Sequence, residues 1–128
     1  MSLISKLTDS VASTALRETL DGLTARQKAI AGNIANVETP GYKRSQVTFE
    51  AELKRVTERG KRHEVIAKLK SLEPVQQTDN LSPSRPDGNN VNIDAEIANL
   101  AETSLHYNAS LTLMKLRGSI VRAAVDGR

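Results

Sequence analysis

The chain has 128 residues, a formal net charge of +3, 38% hydrophobic residues, three aromatics and no cysteine. That length suits one domain or less. The missing cysteines exclude a disulfide frame, a thiolate metal site and a cysteine nucleophile, and no apolar run approaches the ~20 residues that span a bilayer. Rings normally dominate buried area; with so few of them, the apolar surface is aliphatic and is expected along helix stripes rather than in a globular centre.

In chain order, Leu3, Leu7 and Val11 predict a short helix over residues 2–13, with a break near Asp9–Thr14. The same stretch lacks the unbroken apolar core of a secretory signal, so any export is expected to use another route. Leu16, Leu20, Leu23, Gln27, Ile30, Ile34 and Val37 then follow at steps of four and three. That is a heptad seam with one polar seat, Gln27. Gly22 and Gly32 interrupt it, each at a cost of about 1 kcal/mol relative to Ala, and mark places where another backbone is expected to come close. The helix should stop near Asn36, because Pro40 disfavours helical geometry at the residue before it. Thr39-Pro40-Gly41-Tyr42 has the Pro-Gly order of a type II turn.

Residues 43–72 suggest two short helical pieces divided by Gly60, one on Phe49, Leu53 and Val56, the other on Val65, Ile66, Leu69 and Leu72. Lys43–Lys70 holds nine basic residues against four acidic ones. Acids interleave with it and no aromatic follows Phe49 to stack on a base. It therefore reads as a solvated charged surface, with nucleic-acid binding as the weaker alternative. Leu72–Asn92, with Pro74, Pro83, Pro86 and Gly88 among many polar residues, reads as a loop or linker, mobile or ordered by a partner.

A second seam runs through Ile97, Leu100, Ser104, Tyr107, Leu111, Met114, Gly118, Val121 and Val125, widened by Leu105, Leu113, Leu116 and Ile120. Asn92 or Asp94 is the expected cap, and Asp94 and Glu96 suit the positive end of the dipole. A helix over about 93–125 would be roughly 50 Å long. The expected fold is mainly α: two long terminal helices forming an antiparallel coiled-coil hairpin, with a polar, partly irregular insert between them. Residues 1–36 and 93–128 would pack as one axial unit around an insert of 37–92. The assembly seam is expected at Leu16, Leu20, Leu23, Ile30, Ile34, Ile97, Leu100, Tyr107, Leu111, Met114 and Val121. Two helices bury only one seam, and chains without a large core usually need oligomerisation or another staple. The extra stripe is therefore expected to pack against neighbouring copies.

Nothing marks catalysis. His63 and His106 have no ligand spacing, the glycines form no phosphate loop, and Asp87-Gly88-Asn89-Asn90 lacks the remaining ligands of a calcium loop and reads as a turn. No enzyme, cofactor, metal or small-molecule substrate is expected.

One string is far more specific. Asn33-Ile34-Ala35-Asn36 followed by Thr39-Pro40-Gly41-Tyr42 closely resembles the N-terminal signature of the bacterial flagellar rod and hook family. The two amides at a helix end are placed to bond exposed carbonyls or an adjacent subunit. Hook and distal rod members carry inserted β-domains for which this chain has no room. The stretch from Asp87 to Ile97, with Leu100-Ala101-Glu102 and Leu105-His106-Tyr107, resembles the short proximal rod members. Ser104-Leu105-His106-Tyr107-Asn108 departs from the Ser-Arg-x-Tyr-x-x-Asn pattern of a second short member. The resemblance covers both terminal helices, about half the chain, and says little about residues 44–86.

It implies a proximal rod subunit of the flagellar basal body that is exported without a cleaved signal peptide by the flagellar type III apparatus. Such a subunit assembles helically around the export channel and transmits torque. Implied partners are other copies, other rod proteins, and membrane-ring and rod-adaptor proteins, with no nucleic acid. A coiled-coil adaptor or secretion chaperone is the alternative, and it leaves the Thr-Pro-Gly-Tyr turn unexplained.

Overall fold

The computed structural model describes Lys6 and residues 9–127. Half of the short helix expected over 2–13, including Leu3 and Leu7, lies outside the described residues. The chain is mainly helical. Helix α1 (Val11–Ala35) leads through the Thr39–Tyr42 turn to strand β1 (Ser45–Thr48), helices α2 (Glu50–Thr57) and α3 (Arg62–Lys70), strand β2 (Val75–Thr78), a polar loop and helix α4 (Ile93–Asp126).

Local chemistry sets these boundaries. Ser10 caps α1, its Oγ accepting from the Ser13 N–H at 3.1 Å. Asn36 closes the helix, its N–H donating back to the Gly32 and Asn33 carbonyls. Gly41 sits at φ +74°, the left-handed position that a type II turn reserves for glycine, and the Tyr42 N–H donates to the Thr39 carbonyl at 3.3 Å. Asn92 caps α4 through the N–H groups of Asp94 and Ala95.

Helix α1 is the centre, with α4 on one side and the insert on the other. Three side-chain contacts show that α1 and α4 run antiparallel. Asn33 bonds Glu96, Gln27 bonds Ser104, and Ser10 and Ser13 accept from Arg117. One core cluster packs Leu23 and Ala29 with Val47 and Phe49 of the insert, and half-buried Ala25, Leu72 and the α4 residue Tyr107 join it. A second cluster joins Val56, Val65 and Leu69 to Val11, Ala15 and Leu53. The two glycines of α1 meet side chains rather than the expected backbone. A Cβ on Gly22 would lie 2.5 Å from the Phe49 ring, while Gly32 faces only the Tyr42 hydroxyl at 3.9 Å.

The insert departs from expectation. Strands β1 and β2 pair antiparallel from Ser45↔Thr78 to Thr48↔Val75, a sheet that helical spacing does not reveal. The loop over 79–92 is held by the chain itself, with Asn89 and Asn90 both buried. The α4 seam is also corrected at its start. Ile97 is 54% exposed, and its neighbour Glu96 takes the buried position instead.

Candidate functional site

The family-like motif lies where α1 ends and α4 begins. Asn33 is wholly buried, and its amide meets a partner at every donor and acceptor position. Its Nδ2 donates to the Ser45 carbonyl at 2.8 Å and to Glu96 Oε2 at 3.1 Å. Its Oδ1 accepts from the Ser45 N–H at 2.8 Å and the Tyr42 hydroxyl at 3.1 Å. The side chain thus serves β1 as a one-residue partner strand while fastening it to α4. A buried amide left unpaired would cost ~1–3 kcal/mol per group, so full pairing makes this position specific to Asn.

Asn36 does a different job. Its Nδ2 returns to the Gly32 carbonyl at 2.8 Å, and its Oδ1 accepts from the Thr39 hydroxyl at 3.1 Å. Ala35, Thr39, Pro40 and Gly41 are exposed, whereas Ile34 is half-buried. The motif therefore divides into an inward half of amides and Tyr42, and an outward turn.

Three residues complete the knot without having been marked as site residues. Glu96, read from sequence as an acid suited to the positive end of the helix dipole, is 1% exposed and accepts from Arg44 Nε at 2.7 Å. Arg44, counted within the basic surface segment, also reaches Asp79 Oδ2 at 3.0 Å. The Asp79 carboxyl is held well below the usual range, chiefly by the Ser82 hydroxyl, then by the Ser82 and Leu81 N–H groups and Arg44. For Arg44, burial works against the charge, but the bonds to Glu96 and Asp79 outweigh it and raise the guanidinium further.

Asn89, read as part of a turn, donates to the carbonyls of Asn36, Val37 and Thr39 within 3.1 Å, so it holds the outward turn in place. Asn90 receives the Arg44 N–H at 2.7 Å and donates to the Asp79 carbonyl. No signal in spacing or composition distinguishes these asparagines from ordinary loop residues. Among the described residues, no buried side-chain polar atom lacks a partner.

The second feature is the outer face of α4. Leu105 (68% exposed), Leu113, Leu116 and Ile120 (60% exposed) lie away from α1. The opposite side of the same helix turns Thr103, Tyr107, Met114 and Val121 inward. At 100° per residue these two sets fall on nearly opposite sides of the helix. His63 and His106 are both exposed, and no described helix is long and apolar enough to cross a membrane.

A buried amide knot joining two long helices, with an apolar face left open, is the layout of a subunit built for assembly. The family described as flagella basal body rod protein matches residues 12–43, which hold most of α1 and the turn. The flagellar basal body rod protein FlgB of Borrelia hermsii is 44% identical over 103 residues, covering 70% of this chain and 76% of that protein. FlgB of Escherichia coli (strain K12) is 32% identical over 111 residues, covering 77% and 80%. FlgB of Borreliella burgdorferi is 31% identical over 103 residues, covering 70% and 76%. The chain belongs to the FlgB family of flagellar basal body rod proteins. It is a structural component of the flagellar basal body rod.

Proposed function

We propose that the chain is a proximal rod subunit that assembles helically around the export channel and passes torque outward. Its partners are other copies of itself, other rod proteins, and the membrane-ring and rod-adaptor proteins at the base. It reaches the rod through the flagellar type III apparatus, without a cleaved signal peptide. The observation that carries this reading is the open face of α4. Exposed leucine and isoleucine side chains along one side of a helix mark an interaction surface, and nothing among the described residues covers Leu105, Leu113, Leu116 and Ile120.

The α1–α4 pair acts as an antiparallel coiled-coil hairpin. Leu16, Leu20, Leu23, Ile30 and Ile34 supply one side of the seam; Leu100, Tyr107, Leu111, Met114 and Val121 supply the other. The steps of three and four along both helices support that packing. In the motif, Asn33, Asn36 and Tyr42 hold the hairpin's turn end rigid, so that force applied to one helix is carried by the other.

Leu113→Asp and Leu116→Asp test the reading, because each places a charge on the open face without touching the hairpin. In cells making only the variant, each should leave the helical content of the purified chain unchanged. Each should also remove the protein from isolated basal bodies and abolish swimming. Normal swimming with both variants present in basal bodies would contradict the proposal. A cytosolic adaptor, by contrast, would stay out of basal bodies in the parent itself.

A further inference from the structure

Two exposed surfaces of α4, about 30 Å apart along its axis at ~1.5 Å per residue, differ in charge. The first is a groove of about 330 Å³ between the start of α1 and the end of α4. Its floor is apolar, with Leu16, Met114, Val121 and Val125, and at its rim stand Arg122 and Arg17, the latter 3.9 Å from the Asp9 carboxylate. Arg117 also lines it but is engaged with Ser10 and Ser13, and Asp126 is the one acid among the lining residues. Gly118 opens the floor: a Cβ there would meet nothing within 4 Å. Glycine costs a helix interior about 1 kcal/mol relative to Ala, and no part of the described chain fills the space this creates.

The second surface lies at the start of α4. Ile93, Ile97 and Leu105 are exposed there, on a line of four-residue steps, and the exposed carboxylates of Asp94 and Glu102 flank them.

We propose that the acidic, apolar start of α4 in one copy seats in the arginine-rimmed groove of a second copy, head to tail. The inference rests on the assembly reading above and names its contact. Charge complementarity selects the pairing: groove against groove would oppose arginines, and stripe against stripe would oppose carboxylates, whereas groove against stripe pairs them. A contact between two different patches of one molecule propagates as an open chain unless its rotation happens to close a ring, which is the geometry of a rod.

The test is a charge exchange on the full-length chain, read by sedimentation and chemical cross-linking across a range of concentrations and salt. Arg122→Glu alone and Glu102→Lys alone should each raise the concentration for half-association about tenfold, since like charges then face each other. An equimolar mixture of the two should associate again, because each variant's groove then fits the other's stripe. The double variant R122E/E102K should also recover. Gly118→Leu, which fills the groove without changing charge, should weaken association while the chain keeps its helical content.

Single variants that associate like the parent, or a mixture that stays apart while both chains remain folded, would overturn the head-to-tail contact and leave the assembly reading standing. A parent chain that stays monomeric at every concentration would overturn both.

Discussion

At Gly22 a general preference of helices is reversed by one neighbour. Alanine normally stabilises a helix interior by about 1 kcal/mol over glycine, yet a Cβ at Gly22 would lie within 2.6 Å of three Phe49 ring carbons. Overpacking of that kind costs roughly 1–3 kcal/mol. The ring is also packed by Arg26, whose guanidinium carbon stands over it 5.1 Å from the centroid. Gly22→Ala should therefore lower the denaturation midpoint, and adding Phe49→Leu should recover part of the loss; a stabilised Gly22→Ala would refute the packing described.

Asn33 is the second such residue. Asn33→Ala strands the Ser45 peptide groups and removes a donor from Glu96, so urea denaturation should show a loss of roughly 3 kcal/mol or more at ~1–3 kcal/mol per orphaned buried group. A loss within ~0.5 kcal/mol, usual for a surface site, would mean that the knot contributes little. The motif announced Asn33 and Asn36 as paired helix-end amides. It could not announce Glu96, because a glutamate in the first turn of a helix looks the same in sequence whether it faces water or a buried arginine.

Among the elements, the register of α1 against α4 is set where polar groups interlock rather than where leucines repeat. A seam of aliphatic residues tolerates a slip of one turn far better than the buried Asn33–Glu96 bond between the two helices does, and Arg44, from the segment before β1, pairs with the same Glu96; parting such a buried pair costs roughly 3–5 kcal/mol. The pH response follows from the third member. The Asp79 carboxyl is depressed in the folded chain, so it binds fewer protons there than in the unfolded chain at the same pH. Its contribution is complete above the unfolded value of ~3.9 and is lost as pH falls toward the lower folded value. Thermal unfolding followed from pH 7 to pH 2 should show a loss that begins near pH 4, and Asp79→Asn should flatten that part of the curve. A parent and variant with parallel curves would remove Asp79 from the account.

Heptad steps made both long helices legible, and Gly60 made the division between α2 and α3 legible. Strands β1 and β2 were not. Each has four residues, their partners lie some thirty positions apart, and β2 is exposed throughout, so no alternation of buried and exposed side chains betrays it. The loop over 79–92 misled for a related reason. Its composition is that of mobile segments, but Asn89 and Asn90 spend their amides on the chain's own carbonyls.

For the molecule as a whole, α4 is divided. Its first turns are fastened by Glu96 and the Asn92 cap. Its later turns pack on α1 along one side and show Leu113, Leu116 and Ile120 to solvent on the other. Helical stability in proteins comes mostly from tertiary packing of an apolar face, so a helix with two such faces, only one of them covered by the described residues, is only half supported. Hydrogen exchange along α4, compared between the free chain and the chain in purified basal bodies, tests this most directly. In the free chain, amides near Glu96 should exchange slowly and those beyond Leu105 within minutes; within basal bodies the whole helix should be slow. Protection of all of α4 for hours in the free chain, unchanged on assembly, would contradict the claim that neighbouring subunits complete its outer face.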